Sequence, residues 1–174
     1  GNSFGSGAAM RVSSIGFLFD DFDTVISEAR KSSIPSHNSL EAIKSAEAVA
    51  TSIFLLRNGM DKDSLRKFIQ DNYYDLNFDL EELRRNHRFS SKASKTTAEA
   101  IFVFLKSDDF EDAIRKAISI GGDADTIACI CGGLAEAYYG IPSKIVEMVK
   151  PYLKDYMFDL LKDRYYSKSK TLYN

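Results

Sequence analysis

Apolar residues along this chain recur every three to four positions, the repeat of a helical face rather than the alternation of a strand. The clearest stretch follows Ser36-His37-Asn38-Ser39, where Ala42, Ile43, Ala46, Val49, Ala50, Ile53 and Phe54 line one side of a helix. The oxygens before it offer an N-cap, and Asn58-Gly59 tolerate the left-handed backbone that ends it. Upstream, Asp20 to Asp23 introduce a short helix over Thr24–Lys31. Downstream, Asp63 or Ser64 is the expected cap of a helix with a buried stripe of Leu65, Phe68 and Ile69. A Tyr-rich turn leads to a short helix in Phe78–Leu83, and residues 88–95 read as polar loop. Thr96 or Thr97 is expected to cap the apolar segment Ala98–Leu105, and Asp108 to start Phe110–Ile120, which Gly121-Gly122 ends. Asp125 or Thr126 then opens a helix through Ile127, Ile130, Leu134 and Ala137, with Gly140 and Pro142 as its stop. From Ser143 to about Tyr166 the pattern is helical again, with Pro151 starting a new segment or kinking the old one. Alternating patterns are scarce and no repeat occurs, so the predicted fold class is all-α, a compact helical bundle.

At 174 residues the chain is sized for one domain, 1–174, around one core. A formal net charge of −2 supplies no positive field for nucleic acid or anionic lipid. The short basic run Arg84, Arg85, His87 and Arg88 reads as a solvated helix end. No apolar run approaches the roughly 20 residues that span a bilayer, and no basic-then-apolar leader is present, so no membrane partner and a cytoplasmic location are expected. Cys129 and Cys131, two apart on one helix, diverge rather than converge on a metal and read as small core thiols of a reducing compartment.

Three segments carry candidate chemistry. In Gly121-Gly122-Asp123-Ala124-Asp125-Thr126, two carboxylates one residue apart in an extended approach to a helix point the same way, and Thr126 adds a hydroxyl. Such hard oxygen donors favour Mg²⁺ or Mn²⁺ over zinc. The competing role for the same residues is a helix cap beside a solvated aspartate. In Gly5-Ser6-Gly7-Ala8-Ala9-Met10-Arg11, small residues leave backbone N–H groups open to phosphate oxygens, and Arg11 is a partner for a carboxylate or phosphate. A flexible terminus has the same composition. His37 either hydrogen-bonds a ligand or helps cap its helix, and no Ser/His/Asp or Cys/His set nominates a nucleophile.

These segments occur in a familiar order. Ser3-Phe4-Gly5-Ser6-Gly7-Ala8-Ala9-Met10-Arg11-Val12-Ser13 resembles the Gly-Asn-Gly-x-Ala-Met-Arg-Val-Ser-Pro segment of the ADP-ribosylglycohydrolase family, of the dinitrogenase reductase-activating glycohydrolase type. Ser36-His37-Asn38 is similar to that family's Ser/Thr-His helix start, and Gly121–Ala128 leading to Ala137-Tyr138-Tyr139-Gly140-Ile141-Pro142 to its second metal motif. The resemblance implies an all-α fold around a two-magnesium cleft that hydrolyses the bond joining C1″ of ADP-ribose to a protein or small-molecule acceptor. By position, Asp123, Asp125 and Thr126 would hold Mg²⁺, with Mn²⁺ as the alternative ion, and Asp123 and Asp125 would be catalytic. Ser3, Phe4, Gly5, Ser6 and Gly7 would contact the diphosphate and ribose, and His37 would line the ribose or phosphate region. Tyr73 and Tyr74 are candidates to stack on adenine, without a motif to assign them. The family's amino-terminal Thr-Asp-Asp-Thr, source of the other metal ligands, has no counterpart here; Ser6 stands where the family usually has Asn, and Ser14 replaces a usual Pro. The chain thus reads as a carboxy-terminal portion, expected to meet a missing amino-terminal half or a second copy. The alternative is a catalytically inactive ADP-ribose-binding module.

Overall fold

Side-chain oxygens at several helix starts accept from backbone N–H groups that the helix itself leaves free. Asp21 accepts from the Thr24 amide at 2.8 Å, Ser39 from Ala42 at 3.2 Å, Asp61 from Ser64 at 2.8 Å and Asp109 from Asp112 at 2.8 Å. The computed structural model describes residues 1–86 and 89–164; His87, Arg88 and the expected helix end at Tyr166 lie outside the described residues. The elements are α1 (Gly7–Arg11), α2 (Ser13–Leu18), α3 (Phe22–Ser33), α4 (Leu40–Arg57), α5 (Lys62–Asn72), α6 (Leu80–Asn86), α7 (Ala93–Leu105), α8 (Phe110–Ser119), α9 (Ala124–Tyr139), α10 (Ser143–Val149), a 3₁₀ turn (Lys150–Tyr152) and α11 (Asp155–Arg164). Pro151 sits in that turn, between α10 and α11, so it begins a new segment of the tail. The all-α expectation holds: extended pairing among the described residues is confined to isolated bridges, Asn2 with His37 and Gly5 with Lys92.

Several boundaries differ from the pattern. Asp61, rather than Asp63 or Ser64, caps α5, and Asp109, rather than Asp108, caps α8. α7 begins at Ala93, so Thr96 and Thr97 are buried helix positions, not caps. Its start is completed by other segments: the Ala93 amide donates to the Phe4 carbonyl at 3.0 Å, and the Ser94 amide to a Glu41 carboxylate oxygen at 3.3 Å.

α4 is the central post, packed against α1, α2, α3, α5, α7 and α9. It is buried over more than the one predicted face, because Ser45, Ala48, Thr51 and Ser52 are buried as well as the apolar stripe. Small residues keep this feasible, and their hydroxyls are satisfied inside the helix: Thr51 donates to the Glu47 carbonyl at 2.7 Å and Ser52 to the Ala48 carbonyl at 2.6 Å. α2 lies so close on α4 that a Cβ at Gly16 would come within 2.6 Å of the Ala50 carbonyl oxygen. α9 fills the space between α4, α7 and α8 with Ile127, Ile130, Cys131 and Leu134. Lys62, at the start of α5, donates to the Ser107 carbonyl and the Tyr139 hydroxyl, and its ammonium lies 5.2 Å from the Phe104 ring centre and 4.9 Å from that of Tyr139. This clamp ties α5 to the α7–α8 turn and to the last turn of α9. No described helix is long and apolar enough to cross a membrane.

Candidate active site at the amino-terminal loop and the acid turn

Residues 1–7 are not a loose end. The Gly1 ammonium donates to the Pro35 carbonyl at 2.8 Å, the Asn38 amide to the Gly1 carbonyl at 2.9 Å, and the Ser3 amide to the Ser36 carbonyl at 3.3 Å. Ser39 caps α4 and also donates its hydroxyl to the Ser3 carbonyl at 3.0 Å. Within the loop, the Gly5 amide donates to the Ser3 hydroxyl at 3.1 Å. The loop is therefore pinned on one side by 35–39 and on the other by Lys92-Ala93. Phe4 projects into solvent at 63% exposure, while Ser6 is buried.

His37 stands behind this loop. Its Nδ1 is 2.7 Å from the Ser36 hydroxyl, and its Nε2 is the atom that a Cβ on Gly7 would meet at 2.9 Å. Burial, then the positive charges of Arg11 and the Gly1 ammonium, hold its pKa below the ordinary histidine value. Among the described residues Arg11 pairs with no carboxylate. Its Nη2 donates at 2.7 Å to both the Ser32 carbonyl and the Ser36 hydroxyl.

The acid turn is built by two consecutive glycines with left-handed backbone, Gly121 at φ 74° and Gly122 at φ 66°. They release α8 and deliver Asp123 to the N-cap position of α9. α9 opens at Ala124, one position before Asp125 and two before Thr126, the expected starts. The two carboxylates consequently meet at a helix start, from the cap and the first turn, and not by alternation along an extended segment. Asp123 makes no side-chain capping bond, so the cap does not consume its carboxylate. Asp125 accepts from the Thr126 amide at 3.0 Å. Burial raises the Asp123 pKa; a hydrogen bond with Thr126 opposes the shift and the Asp125 carboxylate adds to it.

The loop and the turn are joined by α1, which packs on α9. The Thr126 hydroxyl lies 3.5 Å from the Met10 sulfur, and the Cys129 thiol 3.5 Å from the Met10 carbonyl. Met10 and the double duty of Ser39 were not legible as site-building residues, because both act across long stretches of chain. Tyr73 and Tyr74 are half-buried and partly engaged in packing: Tyr74 hydrogen-bonds the Ser45 hydroxyl at 2.8 Å beneath Lys44, and Tyr73 meets Phe68 edge-on at 5.8 Å. The core-thiol expectation holds for Cys131 and fails for Cys129, which is exposed on the far side of the helix turn. Among the described residues no group of three or more His, Cys, Asp or Glu side chains converges on one point.

A model of the ADP-ribosylglycohydrolase family matches residues 1–172. An uncharacterized protein of Archaeoglobus fulgidus is 30% identical over 162 residues, covering 83% of this chain and 53% of the relative. ADP-ribosylarginine hydrolase Tri1 of Pseudomonas putida is 30% identical over 126 residues, covering 66% of this chain and 33% of the relative. Among solved structures, an ADP-ribosylglycohydrolase-related protein complex matches with a TM-score of 0.68 at 26% identity, covering 83% of this chain and 54% of that one. The chain thus spans about half the length of the first relative and of that structure, and a third of Tri1. In sequence along nearly its whole length and in the arrangement of its helices, the chain belongs to the ADP-ribosylglycohydrolase family.

Proposed function

We propose that this chain supplies one metal-binding wall and the ADP-ribose-contacting loop of a Mg²⁺-dependent hydrolase that cleaves the bond at C1″ of ADP-ribose, releasing it from a modified protein or small molecule. The observation that carries this reading is the packing of α1 on α9, which joins the pinned Ser3–Gly7 loop to the acid turn through Met10 and Thr126. The donor chemistry fits one ion: the Asp123 carboxylate bonds no free amide of its helix, Asp125 lies beside it, and the Thr126 hydroxyl adds a hard oxygen. Mg²⁺ is commonly held by one or two carboxylates with water completing the shell, and Mn²⁺ accepts the same donors. When bound, the ion supplies positive charge that polarises oxygens at the anomeric centre.

The remaining work falls to the chain's own groups. Ser3, Phe4, Gly5, Ser6 and Gly7 line the diphosphate and ribose, and His37 reaches the same region through Nε2. Asp123 and Asp125 orient ribose oxygens and the attacking water; the water oxygen bonds to C1″ as the C1″–acceptor bond breaks, and the proton the water loses passes by way of a carboxylate to the departing acceptor. An arginine linkage is the first acceptor to assay, because Tri1 is described as an ADP-ribosylarginine hydrolase. The test is ADP-ribose release from an ADP-ribosylarginine peptide with Mg²⁺, with chelator, and with Asp125→Ala. Metal-dependent release that Asp125→Ala abolishes supports the reading.

One observation favours a second reading, a chain that binds ADP-ribose without turning it over: the acid turn gathers two carboxylates and no third ligand of that kind among the described residues. Calorimetry separates the two. Binding without release supports the module, and no binding at millimolar ADP-ribose overturns both.

A further inference from the structure

Arg11 has no acceptor atoms, so where its Nη2 meets the Ser36 hydroxyl at 2.7 Å the serine oxygen must accept. The serine proton remains to be donated, and His37 Nδ1 lies 2.7 Å away. Accepting that proton requires a lone pair on Nδ1, which puts the single proton of a neutral imidazole on Nε2. The opposite tautomer would direct Nδ1–H at an oxygen already facing a guanidinium, and leave the serine proton without an acceptor among the described residues. Nε2 itself faces the loop, at 2.9 Å from a Cβ built on Gly7 and 3.8 Å from one built on Gly5, and no described residue accepts its hydrogen bond. Burial and the nearby Arg11 charge favour the neutral ring.

We infer that Arg11 is a positioning residue: acting through Ser36, it holds His37 in the Nε2–H tautomer and aims one neutral hydrogen-bond donor at a ligand oxygen lodged beside Gly5 and Gly7. The ligand half of this inference rests on the proposed function; the tautomer half stands without it. The arrangement also explains why position 7 carries no side chain, since any Cβ there would press on the ring. It assigns the arginine of the loop segment to the histidine behind it and not to the phosphate in front.

The chain contains two histidines, so His87→Gln leaves His37 as the sole imidazole in a long-range ¹H–¹⁵N spectrum. At pH 7 without ligand, a protonated Nε2 and a bare Nδ1 are expected. Ser36→Ala and Arg11→Met, each checked for retained helicity, are expected to give a mixed tautomer and to weaken ADP-ribose binding roughly 5- to 10-fold, the scale of one net hydrogen bond. Ser36→Thr, which keeps the hydroxyl, restores both. ADP-ribose is expected to move the Nε2 resonance and leave Nδ1 in place. Inorganic pyrophosphate doing the same assigns the acceptor to the diphosphate, and pyrophosphate without effect assigns it to a ribose oxygen. A wild-type ring protonated on Nδ1, or a tautomer unchanged by Ser36→Ala, overturns the positioning role. If the wild-type chain binds no ADP-ribose, the ligand half falls with the proposed function, while the ligand-free tautomer still decides the positioning half.

Discussion

At Asp123 a carboxylate occupies the N-cap of a 16-residue helix and yet bonds none of its free amides. A capping aspartate is worth about 1 kcal/mol, so leaving that bond unmade keeps the group available for something else. Asp123→Asn should therefore cost little stability, under about 0.5 kcal/mol. The same change, and Asp125→Asn, should lower Mn²⁺ affinity at least ~10-fold, read by electron paramagnetic resonance of free ion; ligand loss exceeds the penalty seen for outer-shell changes. Unchanged Mn²⁺ affinity in both variants would remove the metal role. The cysteines offer a second residue-scale check. Burial raises both thiols, Cys131 up to about 12 and Cys129 with help from Asp125, but only Cys129 is exposed to reagent, so a disulfide reagent at pH 8 should modify Cys129 in the native chain and Cys131 only after denaturation. The acid pair and its hard-donor chemistry were legible in the sequence, but the reason the two carboxylates meet was not. An extended approach and a helix start look alike when the local residues are Gly-Gly-Asp-Ala-Asp.

The helices from α3 onward were legible and their starts less so, whereas α1 and α2 lie in a segment whose small residues read as an open loop. Capping by Asp21 and Ser39 follows a local rule, and both occur near where the pattern places them. α7 escaped that rule because its first free amides are taken by the Phe4 carbonyl and Glu41, which are distant in sequence, so no capping side chain is needed beside it. Two substitutions weigh local against tertiary effects. Ser39→Ala removes a cap and should cost about 1 kcal/mol; because the same hydroxyl holds the Ser3 carbonyl, faster hydrogen exchange in residues 3–7 should accompany it. Gly16→Ala should cost more, about 1–3 kcal/mol, since its Cβ would strike the α4 backbone and one helix or the other must shift. Urea midpoints measured side by side would check the order, and an unaffected Gly16→Ala would mean that α2 does not lie where α4 requires it.

For the molecule as a whole, the half-buried Tyr74 hydroxyl is a stability sensor at alkaline pH. Burial pushes its pKa from 10 up to about 12, partly opposed by its bond to Ser45. A group whose folded pKa is raised contributes stability that is complete below its unfolded value and is lost as pH climbs through the folded one. The fold should thus lose stability between about pH 10 and 12, with Cys131 adding in the same direction from about pH 9. Tyr74→Phe should make the urea midpoint fall less steeply across that window than in the wild type. Equal slopes would show that Tyr74 is open to water.

Periodicity and capping are local, so the sequence alone determined an all-α chain, the order of its helices from α3 onward, the glycine-released acid turn and the segments that carry the family resemblance. Which of those segments touch was a tertiary decision. The amino-terminal loop, with a composition that fits a mobile end, is pinned because 35–39 and Lys92-Ala93 arrive on either side of it. Arg11, a phosphate partner by residue type, serves Ser36 and Ser32 because α3 ends within its reach. Cys129 and Cys131 part company, and Thr96 and Thr97 disappear into a helix, for the same reason. Hydrogen-bond partners and burial depend on which helices pack together, and no local pattern encodes that.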